Sequence, residues 1–166
     1  MTTISKASAN KFQLIFPTLP ELDEFSEQKQ FSLNIIDGVL PSFSLATADI
    51  PYMGGNTTIE RGFGSFGDWE TTFSIDSDFQ SWIVLSDWMF SIANNRNIHG
   101  RDDLLYQSDA NLHILDNFEN KVVDVKFENI WPINLGEIKM SYQESEQVLT
   151  CPVTFSYDRF YRITSK

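Results

Sequence analysis

The chain has 166 residues, 42% of them hydrophobic and 14% aromatic, which fits one domain, 1–166, burying about 70% of its unfolded surface. Its formal net charge of -11 excludes the clustered lysines and arginines that grip nucleic-acid phosphates. A single cysteine excludes an intrachain disulfide and every multi-cysteine metal motif, and Cys151 reads as a small apolar strand residue.

Residues 1–10 are polar and lack the apolar run of a signal peptide, so a flexible N-terminal arm and a chain made in the cytoplasm are expected. No stretch reaches the roughly 18 apolar residues of a membrane helix, and no membrane insertion by this chain is expected. Phe12, Leu14 and Phe16 stand in phase as a first short strand, closed by Pro17 and Pro20. Residues 21–30 are acidic and read as an exposed connection. Phe31, Leu33 and Ile35 begin a second strand, Asp37-Gly38 is a turn signal, and residues 40–50 are extended because Pro41 and Pro51 oppose helix.

Residues 53–67 contain Gly54, Gly55, Gly62, Gly64 and Gly67 around a short β-prone run, Thr57-Thr58-Ile59, and read as a long flexible loop. Gly62-x-Gly64-x-x-Gly67 matches the dinucleotide-binding fingerprint in form. That fingerprint needs a helix N-terminus immediately after it, whereas Thr71, Phe73 and Ile75 alternate as a strand. The glycines are therefore read as loop residues suited to positive φ or close subunit approach. Asn56-Thr57-Thr58 matches a glycosylation sequon, which a chain without a secretory signal would not present to that machinery.

Residues 77–93 form the one convincing helix, with Ser77 or Asp78 as N-cap and Phe79, Trp82, Leu85, Met89 and Ile92 at three- and four-residue spacing. This aromatic stripe reads as a face packed on a sheet. Residues 98–109 are charged and irregular, and residues 112–115 form a strand that turns at 117–120 into another. There Val123, Val125 and Phe127 alternate with Asp124, Lys126 and Glu128, and Pro132, having no N–H, is expected to end or kink it. Ile138, Met140 and Tyr142 resume the alternation, residues 143–146 form a hairpin loop, and Leu149 to Tyr157 alternate as an amphipathic strand of about ten residues.

Chemistry is sparse. His99 and His113 have no partner at metal-ligand spacing, and neither Asp102-Asp103 nor Asp76-Ser77-Asp78 opens a twelve-residue calcium loop. A phenylalanine platform for single-stranded nucleic acid would need a positive groove that the charge balance denies. No catalytic constellation is evident, and neither a cofactor nor a metal is expected.

Phe127-Glu128-Asn129-Ile130-Trp131-Pro132-Ile133-Asn134-Leu135-Gly136-Glu137-Ile138 resembles the WP-x-N-[LV]-G-E segment of tail tube proteins of contractile-tailed bacteriophages. Other features follow in that family's order. Asn10-Lys11-Phe12-Gln13 resembles its first strand, Leu40-Pro41 its LP step, and Asp68-Trp69-Glu70-Thr71-Thr72-Phe73 its DW-x-x-T strand, followed by a helix with Trp88 and by a long final strand at 147–160. The resemblance spans about 10–161. It implies a mainly β fold, a β-sandwich or small barrel with one flanking helix. It also implies that copies assemble into hexameric rings that stack as a hollow tube, each giving strands to an oligomeric inner β-barrel. It further implies a virion tail tube assembled in the host cytoplasm. The implied partners are the tail sheath protein and the baseplate tube initiator, tape-measure and terminator proteins, while DNA passes through without specific binding.

Within that frame, Gly54, Gly55, Asn56, Ile59 and Gly62 are candidates for an inter-subunit contact loop, because the ordering entropy of so many glycines needs a partner surface to offset it. In the structural motif Trp131, Pro132, Leu135, Gly136 and Glu137, Trp131 reads as a buried anchor. Gly136 reads as a point of close backbone approach, and Glu137 as a hydrogen-bond or ion-pair partner or else a solvated charge. Asp124 and Glu128, on the face opposite the apolar residues, are candidate lumen acids or lie on the outer wall. Two further readings stand beside this one. The first is the tube protein of a phage-derived contractile injection system, or a tube-initiating baseplate subunit. The second is a monomeric β-sandwich binding module, for a glycan, with Trp69, Trp131 and Tyr142 lining a cleft.

Overall fold

In the computed structural model the described residues are 11–19, 31–52, 54–94, 106–115, 120–140 and 148–163. They form nine strands and one helix: β1 (Lys11–Phe16), β2 (Phe31–Gly38), β3 (Phe43–Tyr52), β4 (Gly55–Phe66), β5 (Trp69–Ser74), α1 (Gln80–Asn94), β6 (Ser108–Leu115), β7 (Lys121–Leu135), β8 (Thr150–Ser156) and β9 (Arg159–Ile163). The expectations for 1–10, 21–30, 143–146, His99, Asp102, Asp103 and Tyr142 fall outside the described residues.

The period-2 sequences do what their alternation requires: Leu14 and Phe16, Phe31 and Leu33, Trp69 and Phe73, Cys151, Val153 and Phe155 all turn to one side and are buried. Antiparallel pairing in the order β6-β1-β2-β5-β8-β7, with β6 also bonded to β7, closes these strands into a barrel. The small barrel, rather than the open sandwich, is thus the realised form of the expected β class. About eight strands already leave an interior only wide enough for side chains, and this six-strand barrel is narrower. Large rings fill it: Trp69 stacks on Phe127 at 4.8 Å and lies 5.9 Å from Phe155, and Phe16 meets Phe155 at 6.0 Å.

The helix connects β5 to β6 at one end of the barrel. Val84, Leu85 and Trp88 form its buried stripe, and the Trp88 ring meets Phe16 edge-on at 5.6 Å while its Nε1 donates to the Tyr106 carbonyl at 2.7 Å. It begins at Gln80, three residues later than the sequence suggests. Residues 76–79 first make a turn, the Phe79 N–H donating to the Asp76 carbonyl at 3.0 Å. Phe79, at φ 56, is the residue whose carbonyl accepts the first helical N–H, from Ile83. Neither Ser77 nor Asp78 caps the helix; the Asp76 carboxylate accepts from the Ser81 hydroxyl at 2.7 Å instead.

Three other expectations are corrected. Residues 53–67 are not a loop: Gly55–Phe66 is strand β4, paired with β3 in a two-stranded hairpin that stands apart from the barrel sheet. Strand β7 does not end at Pro132 but runs on to Leu135. There is room for a proline there because β6 begins at Ser108, opposite Ile130, so from Trp131 onward the ladder is with β8. Finally, the last amphipathic stretch is two strands, broken at Tyr157-Asp158, and β9 pairs with the first half of β7.

Candidate assembly surfaces

The long hairpin is rooted firmly and then left bare. At its roots the Trp69 indole N–H donates to the Val39 carbonyl and the Tyr157 hydroxyl to the Gly67 carbonyl, both at 2.6 Å. Phe66 lies against Phe43 at 5.1 Å and Phe160 at 5.4 Å. A side chain at Gly64 would collide with the Phe43 ring, which would have to move to admit it. Further out the strands are joined by their ladder, by a Ser44–Ser65 hydroxyl contact at 3.1 Å and by the Thr58 hydroxyl donating to Asp49 at 2.7 Å.

Of the candidate contact residues, Gly54 occupies the turn at φ 83, and Gly55, Asn56, Ile59 and Gly62 all lie along β4. Ile59 is exposed, as are Phe43, Leu45 and Ile50. Sequence reasoning stopped at the glycines and missed these β3 residues. Their signal was the alternation of Phe43 and Leu45 in a segment already read as extended.

The Trp131 to Glu137 motif is built differently from its sequence reading. Asn129 adopts φ 54, and the β6 pairing jumps from Phe127–Ala110 to Ile130–Ser108, which marks a β-bulge. An extra residue flips the alternation, so Ile130 and Pro132 are buried and Trp131 is only half-buried, packed against the core margin. Trp131 is therefore not the buried anchor; Ile130, fully buried, has that place. A second register shift between Pro132 and Asn134 lets Leu135 pack on the core. Gly136 lies where its N–H donates to the Pro152 carbonyl at 2.8 Å and where a Cβ would collide with the Pro152 ring. Glu137 is exposed and pairs with no described cation.

Asp124 and Glu128 do project from the outer face of β7, where Glu128 meets a cation and Asp124 meets an imidazole. Glu128 accepts from Arg159 on β9, and Lys126 reaches Asp109 on β6 at 2.9 Å. The Asp124 Oδ1 lies 3.4 Å from His113 Nε2, and that nitrogen is 3.2 Å from Lys121 Nζ. His113 is 8% exposed, and burial pushes its pKa below the ordinary histidine value, against the upward pull of Asp124 and with the downward push of Lys121. The Asp124 Oδ1 is buried and receives no hydrogen bond. Two ion pairs, Lys126–Asp109 and Arg159–Glu128, thus tie three strands together on this face.

An open groove of about 370 Å³ runs over the outer face of β2, β5 and β8, with Asp37, Glu70, Thr72, Asn134 and Pro152 in its walls. It brings together two carboxylates but no nucleophile with a base. The glycan cleft does not form, because Trp69 is buried in the barrel. Among the described residues no His, Cys, Asp or Glu cluster is arranged to hold a metal ion.

The chain resembles proteins of contractile particles in fold. A chain in the anti-feeding prophage baseplate, 6-fold symmetrised, superposes with a TM-score of 0.67 at 12% identity, covering 97% of each chain. A chain in the sheath/tube terminator of an extracellular contractile injection system, PVC, gives 0.65 at 12% identity, covering 98% of this chain and 100% of that one. One in the sheath-tube complex of the same system gives 0.59 at 11% identity over 98% and 95%. No curated protein sequence matches. Residues 7–163, nearly the whole chain, match the phage tail tube protein family, and the chain belongs to that family.

Proposed function

We propose that the chain is the tube subunit of a contractile phage tail, forming hexameric rings that stack into a hollow conduit for DNA during ejection. One observation carries the reading. The barrel of each subunit is filled by Leu14, Phe16, Phe73, Phe127 and Phe155, all fully buried, so a passage exists only between copies. The subunit also carries a hairpin with exposed apolar residues, a structure marginal in water unless covered. Gly54, Gly55, Asn56, Ile59 and Gly62 are then contacts to a neighbouring copy. Among the described residues the outer strand β9 has a ladder edge with no partner, through which neighbouring copies join sheets.

The tail sheath protein surrounds such a tube, and baseplate initiator, tape-measure and terminator proteins set its ends and length; the similar fold in a sheath-tube complex supports this. The particle is a virion assembled in the host cytoplasm. DNA passes without specific binding, because the net charge of -11 does not attract phosphate. Asp124 and Glu128 contribute to that wall, Glu128 through its pair with Arg159 and Asp124 beside His113. Reversing both to Lys and measuring ejection at low and moderate salt tests this, and an unchanged rate places them off the conduit.

Electron microscopy of concentrated protein tests the main reading. Rings and tubes are expected, while a deletion of residues 54–62 leaves a folded monomer that does not polymerise. Normal tubes from the deletion would overturn the contact role of the hairpin. A protein that stays monomeric at every concentration would overturn the tube reading. The similar folds in contractile injection particles favour a second reading, a tube or tube-end protein of such a particle. A sheath gene beside capsid genes marks a phage, and one beside effector genes an injection device.

A further inference from the structure

The charged outer face of β6 and β7 holds one titratable side chain shut away from water, with two charged partners competing for a single atom. His113 on β6 lies opposite Asp124 on β7 and Gln13 on β1, and it is 8% exposed. Its Nε2 is 3.2 Å from Lys121 Nζ and 3.4 Å from Asp124 Oδ1. An imidazole nitrogen carries a lone pair or a proton, an ammonium only donates and an ionised carboxylate only accepts. Nε2 therefore serves Lys121 when it is bare and Asp124 when it is protonated, never both at once. The surroundings leave the choice to these three groups. Lys126, two residues along β7, is taken by Asp109 at 2.9 Å. Strand β9 sets Ile163, Arg162 and Tyr161 beside Asp124, Val125 and Lys126 in turn. Strand β1 sets Gln13, which does not titrate, beside His113, with Lys11 two positions away and level with Leu115.

We propose that His113 is a proton-driven switch: when neutral its Nε2 accepts from Lys121, and when protonated the same nitrogen donates to Asp124 and Lys121 is released. The device lies within one subunit and stands whether or not the tube reading does. Two observations fix its resting position. Lys121 Nζ is within hydrogen-bond distance of Nε2, and the buried Asp124 Oδ1 receives no hydrogen bond, which suits a nitrogen with no proton to give. The exchange takes one proton from solvent and breaks no covalent bond. It gives the buried carboxylate oxygen a donor and returns an ammonium to water, which Lys121, being exposed, can reach. Burial, opposed by Asp124 and reinforced by Lys121, holds the His113 pKa below its ordinary value. The switch therefore rests with Lys121 at neutral pH and is thrown in acid. The ammonium freed at the start of β7 can then meet a carboxylate from outside the subunit.

The test is nitrogen NMR of full-length protein labelled at its histidine nitrogens, with His99→Gln as background so that His113 gives the only signals. At neutral pH the ring proton is expected on Nδ1 with Nε2 bare, and on acidification Nε2 gains its proton. A neutral ring with the proton on Nε2 overturns the switch, and this measurement needs no change at His113 or its partners. Lys121→Met, at an exposed position, is expected to move the neutral ring's proton to Nε2, now facing Asp124 alone, and to raise the titration midpoint. Asp124→Asn is expected to lower the midpoint and to leave the proton on Nδ1. An unchanged midpoint in either variant overturns the proposal. So does a midpoint that rises in Lys121→Met while the proton stays on Nδ1, because nearby charge alone would do that without any exchange of partners.

Discussion

The barrel and the long hairpin are made of the same secondary structure and stand in opposite relation to water. In the barrel the inward residues of the strands pack against one another, and the closed ladder leaves no edge on those strands that a second chain must cover. In the hairpin the described residues pair only with each other, and beyond Phe66 at its root the apolar residues Phe43, Leu45, Ile50 and Ile59 stay exposed. The contrast teaches where stability and assembly reside. Changes in the barrel should be read as unfolding, and changes in the hairpin as loss of association from a subunit that still folds.

The sharpest way to break that contrast is at the barrel centre. Trp69→Ala removes a buried ring stacked on Phe127 and a donor to Val39, and an expected loss of about 3–5 kcal/mol would show in chemical denaturation. Trp131→Ala, at a half-buried site, should cost less than half as much; equal losses would restore Trp131 as the anchor. Next in size is Gly136→Ala, whose methyl would collide with Pro152. Overpacking of that kind costs about 1–3 kcal/mol, and an unchanged denaturation midpoint would mean that β7 and β8 separate easily at that point.

A smaller effect concerns His113. Its folded-state pKa is lowered by burial, so the unfolded chain binds the proton more readily. The contribution is then fully present above the unfolded value of about 6.5 and is lost as pH falls below it. Wild type should lose stability between about pH 7 and pH 5 more steeply than His113→Gln, measured by thermal melts across that range. Parallel profiles would show that the Asp124 pairing compensates the burial. Smallest of all is Ile59→Ser, expected within about 0.5 kcal/mol of wild type in monomer stability, yet reducing tube formation. A destabilised monomer would mean that the hairpin is folded against its own barrel.

The strands of the barrel were legible because half-burial imposes a period of two, and Phe12, Leu14 and Phe16 or Leu149, Cys151 and Val153 carry it without interruption. The hairpin was half-legible. Its β3 strand read as extended, but among the described side chains of β4 none is buried enough to give a strand its pattern, and its glycines mimicked a loop. Trp131 was misplaced by a single residue. The phase of β7 was counted through Asn129, and nothing short of recognising asparagine's tolerance for positive φ marks the bulge there. The partners of the charged face divide in the same way. His113 opposite Asp124 follows from a local hairpin whose register can be counted, whereas Arg159 meets Glu128 only because the last strand breaks at Tyr157-Asp158 and returns along β7.

The roots of the hairpin also fix how a subunit bears force. One root is tied by Trp69 to the Val39 carbonyl and the other by Tyr157 to the Gly67 carbonyl, while Phe66 wedges among Tyr157 and Phe160. These ties act side by side rather than one after another, so tension along the hairpin is shared among them and passes directly to rings at the barrel centre. Within one subunit, compliance is then left to the outer reach of the hairpin, beyond Ser44 and Ser65.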